Sequence, residues 1–468
     1  MPTESRTATA GRSESRAWAR AWAGAAELLS RVWTYERVYD ARVTRAAAGR
    51  ALLRSIVCGL LLFAALAPHR LRPHIDLYPS YVAAKFANEG RWDRIYHRTI
   101  WLHDAVDPEW DRRAAELTRE QLHGTSFVYH PWYLQLLRPI AAHTTYVQFQ
   151  RGTVVFNKLC IVAAGLGISL LLGASTLPMQ ALSTLALGIA TTTIYGLEFG
   201  QNVLPALMFA LAAALAWASR TKLWVGALFA ALAWTCKPWC SVLLLLCFAL
   251  RGVRAGVITS LAVGFVMAVL PVVVMPAALM HDYREMNLAM TSVSVSGYNN
   301  FSVLVTLERL TQSDWAHHVL EWLPRVPELE YRVGALGVAG LVVIAGSWIW
   351  WRRRPRASYT SAAVLALLLL PLGICWTHYF VFAVPLALVC TFATKSPVSL
   401  RVVGAGLLAE LMALADWAGI PNDKFGLFLS DPPRYPWREA LPIVLVIGCI
   451  LAALSLAPSD EREGSERC

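Results

Sequence analysis

Leu223–Leu250 reads LWVGALFAALAWTCKPWCSVLLLLCFAL, and the way this stretch crosses an apolar layer decides the topology of the whole chain. A bilayer core of about 30 Å is spanned by about 20 helical residues, so one continuous helix is overlong here. Lys237-Pro238 also interrupts it, because proline cannot continue an interior helical hydrogen-bond ladder. The alternative is a hairpin of two short helices with that pair at the bend. Charge arbitrates. With the hairpin, Arg220-Thr221-Lys222, the segment Arg251–Arg254, the cluster Arg352–Arg356 and the segment Lys395–Arg401 all face the same side as the basic N-terminus, as the positive-inside rule requires. With one helix the later clusters would face outward. The hairpin gives twelve spans with both termini cytoplasmic.

The other candidate spans lie near 51–68, 152–173, 178–197, 201–219, 256–278, 332–351, 358–375, 379–394, 398–418 and 440–457. Of 468 residues, 56% are hydrophobic and only 16% charged, with a mean hydropathy of +0.46; a soluble domain does not have this composition. The expected class is an all-α polytopic membrane protein. The net charge of +11 sits in short clusters between apolar runs, so topology explains it and no nucleic-acid partner is expected. Cys58, Cys160, Cys247, Cys375, Cys390 and Cys449 fall inside apolar stretches without metal-ligand spacing and read as filler. Cys236 and Cys240 flank Lys237, a spacing that more often marks packing neighbours than a bridge. No internal repeat of the transporter kind is visible.

The chain divides into a basic cytoplasmic extension, 1–50, a membrane domain, 51–457, and a cytoplasmic tail, 458–468. No apolar core precedes Ala51, so a cleavable signal peptide is not expected. Between Trp18 and Arg45 a surface helix can set Trp22, Leu28, Leu29, Val32 and Trp33 against lipid headgroups; a solvated basic tail fits equally well. Outside lie residues 69–151, 279–331 and 419–439. The first of these loops carries Asp76, Tyr78, Tyr81, a charged segment Asp111–Glu120 able to form an amphipathic helix, and Phe127-Val128-Tyr129-His130-Pro131-Trp132. It is too rich in aromatic and apolar residues for a linker and reads as helices on the membrane surface.

Asp76 follows the first span closely. A carboxylate there can take a proton from a hydroxyl at the lipid-water boundary; a solvated or helix-capping role stays open. Lys237 is a cation at a helix end, where a phosphate would pair it and where snorkelling to the interface is as common. No metal-binding Asp-x-Asp and no glycine-rich phosphate loop stands out, so no nucleotide and no cofactor is called for, while whether a metal assists stays open.

Six fragments in order then resemble glycosyltransferase family 87, the polyprenol-phosphate-sugar-dependent membrane enzymes of the GT-C class. They are Asp76-Leu77-Tyr78-Pro79-Ser80-Tyr81-Val82-Ala83-Ala84; Phe127 to Pro131 with Arg138-Pro139; Phe199-Gly200-Gln201-Asn202; Cys236-Lys237-Pro238-Trp239; Tyr298-Asn299-Asn300-Phe301-Ser302; and Cys375-Trp376-Thr377-His378-Tyr379. The resemblance covers most of residues 51–395. It implies an inverting transfer of a sugar, mannose first, from a polyprenyl-phosphate donor to a glycolipid or glycan acceptor, on the extracytoplasmic face of a bacterial inner membrane. It also implies roles: Asp76 as general base, with Glu198 as the second choice; Lys237 and His378 on the donor phosphate; and Tyr81, Tyr129, Glu198, Gln201, Asn202, Asn299, Asn300 and Trp376 on sugar or acceptor, Trp132 being a further aromatic candidate. Tryptophan and tyrosine near span ends are also common interface anchors. Pentosyl transfer from the same kind of donor, a lipid-sugar flippase and a non-catalytic scaffold are the alternatives.

Overall fold

The computed structural model describes residues 76–96, 108–119, 127–173, 177–219, 223–292, 294–295, 300–311, 324–325, 327–372, 374–393, 396–417 and 436–459. The N-terminal extension with its expected surface helix, the first expected span 51–68, Asn299 and most of 419–439 lie outside these. The described chain is helical apart from a two-residue antiparallel ladder, β1 Ser294–Val295 with β2 Pro324–Arg325.

The described parts of residues 69–151 fold into α1 Tyr78–Asn88, α2 Pro108–Thr118 and α3 Pro131–Ala142. The amphipathic helix expected from Asp111 starts three residues earlier and stops at Arg119, whose φ of 60° is left-handed. One face of α2 buries Trp110 and Ala114. Trp110 stacks on Phe86 of α1 at 5.5 Å between ring centroids, and burying each of these rings stabilises by about 2–3 kcal/mol. On the outside, Arg113 pairs with Glu89, and Arg91 and Arg94 both pair with Glu109. These helices and the ends of two long ones share a small core of their own, from Leu77, Tyr78 and Tyr81 to Phe149, Met275 and Met286. This cap seats the described parts of the first loop over one end of the bundle.

The bundle follows with α4 Tyr146–Leu171, α5 Leu177–Ile189, α6 Thr191–Glu198, α7 Val203–Ala218, α8 Leu223–Cys236, α9 Leu244–Arg251 and α10 Val253–Val274. A capping box of Thr145 and Gln148 starts α4, satisfying two of the free N–H groups of its first turn. Beyond lie α11 Ala277–Ser292, α12 Val303–Thr311, α13 Leu329–Arg353, α14 Ala357–Leu367, α15 Val384–Phe392, α16 Val398–Trp417 and α17 Pro436–Leu456. Among the described residues α4, α10 and α13 can each cross a membrane by length and composition, and seven shorter apolar helices accompany them. Cysteines 160, 236, 240, 247, 375, 390 and 449 are buried and free.

The chain does reverse at Lys237-Pro238. Thr235 lies beside Met267, with the threonine oxygen 3.8 Å from the Met267 sulfur, while Cys247 donates to Thr259 Oγ1 at 3.4 Å. Residues 238–251 therefore run back alongside α10, which returns after a tight turn at Gly252, φ +87°. Three expected spans are corrected. The stretch 178–197 breaks at Ala190, ψ 129°, where three consecutive β-branched threonines follow and resist continuation of the helix. The stretch 358–375 is helical only to Leu367, and 379–394 opens as a 3₁₀ turn, Thr377–Ala383.

Proline 271 interrupts α10 in another way. Its missing N–H leaves the Met267 carbonyl without the usual donor, and a π turn spans Phe265–Val269. The first loop supplies the replacements: His130 Nε2 bonds Met267 O at 3.0 Å and Trp132 Nε1 donates to Val266 O at 2.8 Å. At the far end of the bundle α13 finishes in exposed Trp348 and Trp351, both faced by the Arg352 guanidinium, with Arg354 over Trp350 at 4.5 Å.

Candidate active site

Three segments meet at the capped end of the bundle. The turn between α6 and α7 is shaped by Gly200, whose φ of +68° falls in the left-handed region that glycine enters without a Cβ clash. Gln201 N–H then donates back to Gly196 O at 2.9 Å, and Asn157, an amide inside the apolar α4, donates to Gln201 O at 3.3 Å. The next residue, Asn202, donates through Nδ2 to Cys236 O at 2.6 Å. That bond stitches the turn to the last residue of α8, immediately before Lys237.

With its backbone fixed this way, the buried Gln201 amide reaches two charged groups at once. Its Nε2 donates to Asp76 Oδ2 at 2.6 Å, and its Oε1 accepts from Lys237 Nζ at 2.9 Å. Asp76, half-buried, thus engages one carboxylate oxygen with Gln201; α1 begins with no side-chain cap, so the helix-capping alternative does not hold. Burial pushes the Asp76 carboxyl above its usual range, while the Gln201 bond and the Lys237 charge pull it back down. Lys237 is buried, and its ammonium lies 5.1 Å from the Tyr129 ring centroid and 5.0 Å from that of Tyr379. Two aromatic faces attract a desolvated cation without satisfying its remaining N–H donors.

His378 is next in the chain to Tyr379, and their rings meet edge to face at 4.6 Å. Its Nε2 is buried with no hydrogen-bond partner among the described residues. Phe199, beside the Gly200 turn, approaches the His378 ring at 6.4 Å. Glu198 closes α6 just before that turn and is partly exposed.

Other expected residues occupy supporting places. Tyr81 is buried, its hydroxyl donating to Thr144 O at 2.6 Å and its ring packed on Tyr146 and Phe149; it holds α1 to the start of α4. Asn300 is a splint. Its Oδ1 accepts from Cys375 N at 2.8 Å and Ser302 N at 3.1 Å, and its carbonyl accepts from Arg309 at 3.1 Å. That ties Asn300 to Cys375-Trp376, where Trp376 bridges Asn300 through its backbone and opens the turn bearing His378. Trp132 belongs to the α10 clamp described above. The structure thus gathers Asp76, Tyr129, Gln201, Asn202, Lys237 and His378, with Tyr81 and Asn300 set to bracing them.

Tyr379 and Asn157 were not singled out from sequence. Tyr379 sits inside a quoted fragment, next to the histidine. Asn157 carries the plainer signal, since an amide in the middle of a long apolar helix needs a partner. Among the described residues no three His, Cys, Asp or Glu side chains gather where a metal ion could be held.

No curated protein matches the chain, nor does any solved structure. The family profile described as glycosyltransferase family 87 matches residues 127–371, just over half of the 468. That interval contains Tyr129, Glu198, Gln201, Asn202, Lys237 and Asn300, whereas Asp76, Trp376 and His378 lie outside it. The chain belongs to glycosyltransferase family 87 and is a membrane glycosyltransferase.

Proposed function

We propose that the chain is an inverting GT-C enzyme of twelve spans that moves mannose from a polyprenyl-phosphate donor to a glycolipid or glycan acceptor at the extracytoplasmic face of a bacterial inner membrane. In the reaction an acceptor oxygen forms the new bond to the anomeric carbon as the bond from that carbon to the phosphate oxygen breaks. The bonding pair leaves with polyprenyl phosphate, and the acceptor proton passes to Asp76. A β-linked donor then gives an α product.

One observation carries the reading: a carboxylate and a buried cation from segments 161 positions apart meet on one amide at the end of the bundle that the outer loops cover. Asp76 is the base because ionised carboxylate at hydrogen-bond distance accepts the proton as the glycosidic bond forms. Lys237 binds the leaving phosphate, stabilising charge that grows in the transition state. His378, with its unpartnered Nε2, adds a second contact to the phosphate. Tyr129 and Trp376 supply faces for the sugar ring, with Glu198, Asn202 and Asn299 as polar contacts.

The test is incubation of purified protein with a panel of polyprenyl-phosphate hexoses and pentoses and glycolipid acceptors, reading products by mass. Wild type should transfer from a lipid-phosphate donor, and Asp76→Asn should bind that donor but fall about 10²–10⁴-fold in rate. Use of nucleotide sugars alone would overturn the donor, and full activity of Asp76→Asn would overturn the base.

A further inference from the structure

The sequence places Gln201 among sugar contacts, yet both ends of its amide are already engaged, one by an anion and the other by a cation. An amide between opposite charges has only one favourable orientation, N–H₂ to the carboxylate and C=O to the ammonium. Its backbone is pinned as well, by the left-handed Gly200, by the bond to Gly196 O and by Asn157. Asp76 and Lys237 meet through this amide and not directly. A direct ion pair would bury both charges in each other, and such a pair is strong in a low-dielectric site.

We infer that Gln201 is a positioning residue whose amide holds Asp76 and Lys237 apart, leaving one carboxylate oxygen for the acceptor hydroxyl and two ammonium protons for an anion. The inference rests on the proposed roles of Asp76 and Lys237. The other titratable side chains facing the pair are Tyr129 from the first loop, Cys236 and Cys240 at the bend, and Tyr379 and His378 from the last outer turn. Lys237 is therefore the charged group that Gln201 must keep in register with Asp76.

Two variants separate positioning from sugar contact. Gln201→Glu places a second carboxylate against Asp76, and Gln201→Met keeps the length but removes the donor. The full-length protein in detergent is titrated by infrared spectroscopy, with the Asp76 carboxyl band identified by its loss in Asp76→Asn. Gln201→Glu should raise the midpoint by about one pH unit or more, since a like charge disfavours the ionised form, whereas Gln201→Met, which lets Asp76 close on Lys237, should lower it. In turnover, the acid limb of kcat for Gln201→Glu should move to higher pH by the same shift, with KM for donor and acceptor little changed. A midpoint that stays fixed in both variants, or a KM that rises at every pH with the acid limb unmoved, overturns the inference. Should Gln201→Glu fail to fold, the uncharged variant carries the infrared test. Failure of the proposed function is distinguishable: wild type would then transfer from nucleotide sugars alone, or Asp76→Asn would remain active, whatever the infrared midpoint does.

Discussion

Acidification should loosen the outer cap, and His130 is the reason. Its Nδ1 accepts from Trp132 N–H at 3.2 Å, so that nitrogen carries no proton, and Nε2–H must then be the donor to Met267 O. A ring with one acceptor task and one donor task works only when neutral. Burial lowers its pKa from 6.5 to about 4, against the opposing pull of the Met267 carbonyl. In the unfolded chain the imidazole titrates near 6.5, so between that value and about 4 the unfolded state binds more protons than the folded one. Stability is then complete above pH 6.5, falls as pH drops through the window, and falls no further from this residue below about 4. The gap of about 2.5 pH units, at about 1.4 kcal/mol each, amounts to about 3 kcal/mol. The measurement is unfolding in detergent from pH 7.5 to 4, wild type beside His130→Asn, whose amide offers an acceptor and a donor but does not titrate. Other acids contribute equally to both proteins, so the difference between the curves isolates the ring. Parallel curves would refute the reasoning.

Asp76 should set the acid limb of turnover: burial raises its pKa, so kcat should decline on acidification at a pH above the ordinary carboxylate range, as steady-state rates against pH will show. Lys237→Met should weaken donor binding about tenfold or more by removing a charge-assisted contact to phosphate, measured with a non-transferable lipid-phosphate analogue. Gly165→Ala in α4 should destabilise by about 1–3 kcal/mol through overpacking, because the new Cβ would fall on the Thr184 side chain and within 2.6 Å of its Cα in α5; Tm against wild type tests this, and an unchanged Tm would show that the two helices part easily.

Much of the frame was legible because charge and proline act locally. Lys237-Pro238 announced the reversal, since a proline takes a donor out of the helical ladder and here stands beside a charge in the middle of an overlong apolar run. The broken spans were less legible: a window of apolar residues around Ala190 or Leu368 reads the same whether the helix continues or yields to a neighbour. In the site, residue types at outer helix ends pointed to Asp76 and Lys237, but partner choice is a tertiary matter. Nothing local distinguishes Tyr81, which spends its hydroxyl on Thr144, from Tyr129, whose ring faces the lysine. Likewise Gln201 and Asn300 offer the same chemistry, and only the fold assigns one to a pair of charges and the other to a loop splint.

The tryptophan and arginine end of α13 bears on how the molecule floats. Twenty-five residues at 1.5 Å each make about 37 Å of helix, several ångströms beyond the hydrocarbon thickness of a typical bilayer. The uncharged stretch 333–351 accounts for about 28 Å of this, and because indole and guanidinium groups prefer the headgroup level the charged last turn is moored at one water boundary. A mooring post at that level helps to set the draught of the whole vessel, and with it how far from the lipid the capped end rides.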